Sequence, residues 1–569
     1  MVKTAKVIES LLSLKKDIKE TDWRLKLDCN ENIFGVSKFV LNALKNIDEK
    51  ELSLYTNIDK YADKFCEKHK IKKENILFTD KKNYALTGII GVYIDEDDEF
   101  LTYNSKSDVI ENYVKHSKGI LKTINYENDF VFDKNTIIEN ITEKAKIVYI
   151  TTPDDVCGRL IKASAAECII KDYPEILFVI DCSYINYSEN AVLKDYTDLA
   201  EKYDNIVILK SYSSDYALAG LGLCLVVSNK DIISELKKLI PAGDVSALSF
   251  ICAFAAENDT NKLENNKELL IKNKELFIEG LTNAGYKPYE SCANFIICDF
   301  FEYCDFYYQK FINNGIVVKN FEKKLPYSSC LRITVPTEGG VKYMLELTKK
   351  KEVLIFNPDG IIFDVKNSYI LTIAKTVEAL TGVKVSIEKI IKTINSGGFA
   401  SDVDIVRQIA EDMFFSRSEE EIIKTFKDIL LGIDNETGKR HIDNTKLILP
   451  LEKIEELSKK YDLVLTVNHN IKEITYLLKQ NNADKFFSYI SFGDIGKIIK
   501  HVPAVSFKLL TTNADDVIKT DTSVVDVIGV APDGDENEKK AAVNNFIHLG
   551  VKYILNDIKL SEMLLNDFE

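Results

Sequence analysis

Glycine and proline are scarce in this 569-residue chain, at 24 and 10 residues. That is roughly 4 % and 2 %, against common values of about 7 % and 5 %. Loops that cradle phosphate on glycine backbone are short of material, and the chain shows no internal repeat and no low-complexity linker. No run reaches the ~18 apolar residues that span a bilayer. The opening segment MVKTAKVIESLLSLKKDIKE is broken by charge and carries no apolar core of a signal peptide, so a cytoplasmic protein is expected. The six histidines are scattered, and the 11 cysteines show no CxxC spacing, so reduced thiols are expected rather than a transition-metal site or a disulfide framework. Basic charge is also in deficit: 74 basic residues face 89 acidic ones, a net charge of −15. Neither nucleic acid nor an anionic membrane is expected as the main partner.

What is present is an ordinary globular composition, 46 % hydrophobic and 29 % charged. At about 150 residues per domain the length predicts three or four compact units. Every cysteine lies between Cys29 and Cys330, which suggests two modules of different origin. The seam falls in the charged run Leu347–Glu352, before the apolar run Val353–Phe356.

Before the seam, Ile147–Ile150, Leu177–Asp181 and Ile206–Leu209 are short, β-branched and unalternated, as strands buried on both faces of a parallel sheet should be. Charged segments of helical period separate them. Leu270, Phe277 and Leu281 share one helix face, and Gly285 can end that helix. After the seam the pattern resumes: a strand at Val353, a helical stretch to about 455, then strands at Leu463–Val467, near Phe507–Leu510, at Val527–Val530 and at Tyr553–Leu555. The expected class is doubly wound α/β, whose sites form at the carboxyl ends of the strands.

Read in order, the residues following the strands of the first module resemble histidinol-phosphate aminotransferases. Leu27–Asn32 is similar to their N-terminal segment, Thr152–Gly158 to their NPNNPTG loop, Val179–Tyr184 to VDEAY, Ser211–Gly222 to TLSKAFGLAGLR, and Cys330–Thr334 to LRIT. The resemblance covers about residues 20–350. It implies a fold-type I pyridoxal-phosphate architecture. A three-layer α/β/α large domain would span about 50–245. A small α+β domain would combine the N-terminal arm with about 246–350.

By the same resemblance Asp181 would face the cofactor's pyridine nitrogen, with Tyr184, Tyr55 and Asp155 also at the cofactor. Arg332 and Asn32 would take the substrate, and Tyr55 would reach across a homodimer. The departures are selective. Ser214 stands where the Schiff-base lysine belongs, and transamination needs that amine. Lys210 lies four residues earlier, on the strand side of the loop. Lys81-Lys82 replace the Gly-Ser phosphate turn, Gly222 replaces an arginine, Ser107 the stacking aromatic, and Asp155 an asparagine. A lysine pair in such a turn is expected at the solvated surface. Asp181 alone also suits a strand-end cap, and Arg332 a surface arginine.

In the second module, 351–569, Asn357-Pro-Asp359-Gly360 with Asp364 resembles motif one (DxDGxxxD) of the haloacid-dehalogenase-like phosphatases. The resemblance implies a Rossmannoid domain with a helical cap near 366–455. Thr466 would be motif two, Lys497 motif three, and Thr512, Asp515 and Asp516 motif four, with Asp359, Asp515 and Asp516 as the remnant metal ligands. The attacking aspartate is replaced by Asn357, a poor nucleophile and weak ligand, and the leading motif-four aspartate by Thr512. By itself, Asp359-Gly360 also suits a turn.

Both modules therefore lack the group that forms a covalent bond, while Asp359 and the strand framework persist. The expectation is a two-domain pseudoenzyme with no cofactor, a structural, scaffold or regulatory homodimer that could extend to a higher assembly. Two alternatives stay open. One is a divergent aminotransferase-like or phosphatase-like enzyme using pyridoxal phosphate or magnesium. The other is a non-catalytic sensor of a phosphorylated amine or amino acid.

Overall fold

The computed structural model describes residues 23–556 apart from 104–107, 127–133, 242–244, 322–326, 397–398, 400, 433–439, 468–469, 494 and 533–535. Ser107 lies outside the described residues. The chain divides into two compact units. One runs through Phe301 and resumes at Gly315–Leu347; the other joins Glu302–Asn314 to the chain from Thr348 onward.

The first unit is built on a seven-stranded sheet. Its order is Ile76–Thr79, Cys224–Val227, Ile206–Ser211, Leu177–Asp181, Ala145–Thr151, Glu99–Tyr103, Ile120–Ile124. Cys224–Val227 runs antiparallel to both neighbours; the other pairings are parallel. The unalternated apolar runs arise because both faces are covered. Ile180 and Ile208 enter one core layer, while Val179, Val207 and Leu209 enter the other, against the helix Lys82–Tyr93. This is the three-layer α/β/α arrangement.

A second, mostly antiparallel sheet combines Leu25–Leu27, Ile316–Asn320, Cys330–Thr334, Phe295–Asp299 and Lys287–Pro288. The helix holding Leu270, Phe277 and Leu281 spans Thr260–Asn283 and buries those three side chains. Gly285 follows its cap at φ +90°, a conformation that favours glycine.

The second unit holds a six-stranded parallel sheet ordered Phe487–Phe492, Asp462–Val467, Lys351–Phe356, Ala504–Thr511, Val525–Val530, Tyr553–Leu555. In chain order that is 3-2-1-4-5-6, the doubly wound arrangement whose switch point flanks the first strand. Between its first and second strands stand the helices Leu371–Thr381, Ile387–Ser396, Asp402–Asp412 and Glu419–Leu431. A ribbon pairing Phe363–Asp364 with Lys446–Leu447 closes the base of this insertion.

Candidate active-site regions

Asp181 ends a central strand of the first unit, beside Thr151 and Leu209 in register, and is 1 % exposed. Its carboxylate is fully engaged. Lys82 Nζ lies 2.7 Å from Oδ2, and Tyr149 OH donates to the same oxygen at 2.9 Å. The Ser183 amide donates to Oδ1 at 2.9 Å, and the Ser183 hydroxyl donates there too. Lys82 is the first residue of the helix Lys82–Tyr93, and its predecessor Lys81 provides no side-chain cap. A cation is disfavoured at that end of a helix, so Asp181 supplies the compensating charge. Burial alone would lower the Lys82 ammonium and raise the Asp181 carboxyl. Their mutual attraction reverses both, placing Lys82 well above the ordinary lysine range and Asp181 below the carboxylate range. The surface expected for this lysine pair is thus corrected at Lys82.

Asp155 lies in the loop after the neighbouring strand. Its amide donates to Thr151 Oγ1 at 3.1 Å. Burial, reinforced by Asp154 and Asp181 and opposed by Lys82 and Arg332, pushes its carboxyl up to about 6. Arg332, on Cys330–Thr334, donates from NH1 to the Asp155 carbonyl at 2.6 Å and from NH2 to the Asp28 carbonyl at 3.0 Å. Its guanidinium sits 5.3 Å from the centre of the Phe295 ring, so it is built into the site rather than standing on the surface. Asn30 Nδ2 donates to Tyr184 OH at 3.3 Å, and Asn32 Nδ2 to the Asp215 carbonyl at 3.0 Å. The structure thus groups Asp155, Asp181, Tyr184 and Arg332, and ties Asn32 to the loop at Asp215, whereas Tyr55 is fully exposed on this chain.

The loop around Ser214 is held by other means. The Ser214 carbonyl accepts from Tyr187 OH at 2.9 Å. Lys210 is 2 % exposed and is ion-paired with buried Asp215. Gly222 adopts φ +71°, and a Cβ there would lie 2.6 Å from the Asp80 carbonyl oxygen and 3.1 Å from Lys81 Cγ. Sequence reasoning missed both lysine–aspartate pairs, the fully buried Lys210–Asp215 and the half-buried Lys82 on buried Asp181. The available signal was charge arithmetic: a retained Asp181 and a new Asp155 accompany an unusual Lys82, and Asp215 follows Lys210 within one loop.

In the second unit the first and fourth strands bring Asn357, Asp359, Thr511, Thr512 and Asp516 together. Asn357 Nδ2 donates to Asp516 Oδ2 at 3.1 Å, and the Thr511 hydroxyl donates to the same oxygen at 2.5 Å. The Asp359 amide donates to Asn357 Oδ1 at 3.3 Å, and Thr512 Oγ1 to the Asp359 carbonyl at 3.4 Å. Burial raises the Asp516 carboxyl. The Asp515 amide donates to Asn513 Oδ1 at 3.0 Å. Asp364 Oδ1 accepts the Lys366 amide at 3.0 Å. Thr466 is the penultimate residue of its strand and donates to the Gly493 carbonyl at 3.1 Å. Lys497 is exposed on the helix Ile495–His501. Among the described residues no three His, Cys, Asp or Glu side chains form a group that could hold a metal ion, so Asp359, Asp515 and Asp516 do not make a ligand set.

Comparison with known proteins defines the class. Residues 24–347 match the family described as aminotransferase class I and II, and the chain belongs to that family. Among its relatives, the histidinol-phosphate aminotransferase of Methanococcus aeolicus is 30 % identical over 298 residues, covering 48 % of this chain and 75 % of the relative. That of Methanocaldococcus jannaschii is 27 % identical over 324 residues, covering 52 % and 80 %. Among solved structures, histidinol-phosphate aminotransferase from Sinorhizobium meliloti in complex with pyridoxal-5′-phosphate shares the fold at a TM-score of 0.56 and 17 % identity, covering 61 % of this chain and 98 % of that one. Among the described residues no helix is long and apolar enough to cross a membrane.

Proposed function

We propose that this chain is a non-catalytic descendant of an aminotransferase fused to a haloacid-dehalogenase-like module, a pseudoenzyme kept as a structural, scaffold or regulatory protein of the cytoplasm. One observation carries the reading: the Lys82 ammonium sits 2.7 Å from Asp181, the carboxylate that would otherwise face the cofactor's ring nitrogen. The cofactor's other anchors do not fit either. Ser214 offers no amine, and Gly222 has no room for a side chain because the Asp80 carbonyl lies over it. The second module is read by its motif order, its 3-2-1-4-5-6 sheet and its helical insertion. There Asn357 replaces the nucleophile and bonds to Asp516. The self-association expected of the fold is supported by an apolar strip at Phe39, Leu41, Leu52, Leu54 and Tyr55, each more than 45 % exposed.

The test is reduction with borohydride in the presence of pyridoxal phosphate, followed by peptide mass spectrometry. No single lysine should be labelled stoichiometrically, and the purified protein should be colourless. Stoichiometric labelling of one lysine beside Asp181 would overturn the reading and favour a divergent enzyme.

A second reading, non-catalytic binding of a small amino acid or phosphorylated amine, is favoured by one observation. Asn30 Oδ1, Asn294 Oδ1, Thr334 Oγ1 and Arg332 Nε are buried around Arg332 without a partner among the described residues. Buried polar atoms of this kind are normally satisfied by water or ligand. Calorimetric titration with histidinol phosphate and with free amino acids separates the two readings: saturable binding lost in Arg332→Gln supports the sensor.

A further inference from the structure

Among the described residues the second unit's sheet ends at the strand Phe487–Phe492, which pairs with Asp462–Val467 alone. The outer edge of such a strand leaves backbone donors and acceptors open to other chains. Here two of them are met by side chains of the helix Cys304–Asn313. The Ile490 amide donates to Gln309 Oε1 at 3.1 Å, and Asn313 Nδ2 donates to the Phe487 carbonyl. The same helix buries Phe306, Tyr307 and Phe311 completely, with the Phe306 ring 6.1 Å from that of Tyr489 on the edge strand. Lys310 is 2 % exposed, and its Nζ lies 2.8 Å from Asp462 Oδ2, whose other oxygen accepts from Ser488 Oγ at 2.9 Å. An aspartate opening a buried strand is tolerable only with its countercharge. That countercharge comes from a segment lying more than 30 residues before the unit's own first strand, Lys351–Phe356, and inside the stretch that matches the aminotransferase family.

We infer that residues 302–314 are the permanent edge cover and charge partner of the second unit's sheet. That unit is therefore completed by a helix encoded within the aminotransferase sequence, and the fusion is not a simple tandem. The inference is independent of whether either site is catalytic.

Hydrogen exchange of the full-length protein tests it, comparing wild type with Lys310→Met. The variant should accelerate exchange across 462–467 and 487–492 by at least about tenfold, because breaking a buried pair opens the local structure. The strands 177–181 and 206–211 should keep their rates. Adding Asp462→Asn, which removes the stranded charge, should recover most of the protection. Unchanged exchange in 487–492, or equal acceleration in both units, would overturn the inference. Should Lys310→Met fail to accumulate folded, Gln309→Ala with Asn313→Ala removes only the two edge contacts. It should speed exchange at the Ile490 amide, and an unaltered rate there would overturn the inference equally.

Discussion

We predict that Lys82→Met destabilises the first unit in a strongly pH-dependent way. The substitution keeps the length of the side chain but strands Asp181, which is 1 % exposed. Removing one partner of a buried ion pair costs about 3–5 kcal/mol. Asp181 retains donors from Tyr149 and Ser183, and hydrogen bonds to a charged group are worth about 1.5–3 kcal/mol each. The low end, near 3 kcal/mol, is therefore expected. In wild type the Asp181 carboxyl is held below its ordinary range, so its contribution is present at neutral pH and disappears as pH falls through the folded value. In the variant burial dominates and the folded value rises above the unfolded one. Stability then falls as pH rises through the new value. The deficit should be large near pH 8 and shrink towards about pH 4–5. Urea unfolding followed by the chain's one tryptophan, Trp23, reads this, since Trp23 lies in the first unit just before the strand Leu25–Leu27. Adding Asp181→Asn should recover most of the loss at pH 8. A deficit that is the same at both pH values, or no recovery in the double variant, would refute the electrostatic account.

Three further outcomes are expected. Asp155→Asn should stabilise the first unit at pH 8 by on the order of 1–3 kcal/mol and have little effect near pH 4. Its carboxyl is pushed up to about 6, so the wild-type contribution is lost as pH rises through that value; urea titrations at the two pH values check this. Ser214→Lys alone should give no borohydride-trapped pyridoxal phosphate, because Lys82 still holds Asp181 and Gly222 still lacks an anchor; trapping by the single variant would show that the pocket is open. Asn357→Asp with Thr512→Asp should raise the melting temperature in magnesium more than either single change, because hard cations are held by the number and placement of carboxylates. No magnesium-dependent shift in the double variant would mean that the fourth-strand acids are wrongly assigned.

The central strands were readable because they are buried on both faces, which produces short, β-branched, unalternated runs such as Leu177–Asp181. Site residues at the ends of strands could be placed for the same reason, Asp181 as the last residue of its strand and Thr466 as the last but one. Lys82 could not. A lysine pair in a turn reads as surface, and only the three-dimensional approach of a helix start to a neighbouring strand end reveals its carboxylate. The Lys310–Asp462 pair was invisible for a similar reason, since its partners are 152 residues apart and no periodicity links them. Lys210 and Asp215 lie only five residues apart. Opposite charges that close in a loop read as a solvated contact, and nothing in the sequence marks both side chains as buried.

Gly222 ties its own turn to the one that leads into Lys82. A larger residue there must bear a positive φ, which costs about 1 kcal/mol or more, and must also displace the Asp80 carbonyl 2.6 Å from its Cβ. That carbonyl belongs to the turn leading directly into Lys82, so moving it disturbs the ion pair at Asp181. Positions 81, 82 and 222 are thus mechanically linked, and a side chain placed at 222 alone is felt as far as the carboxylate that ends the neighbouring strand.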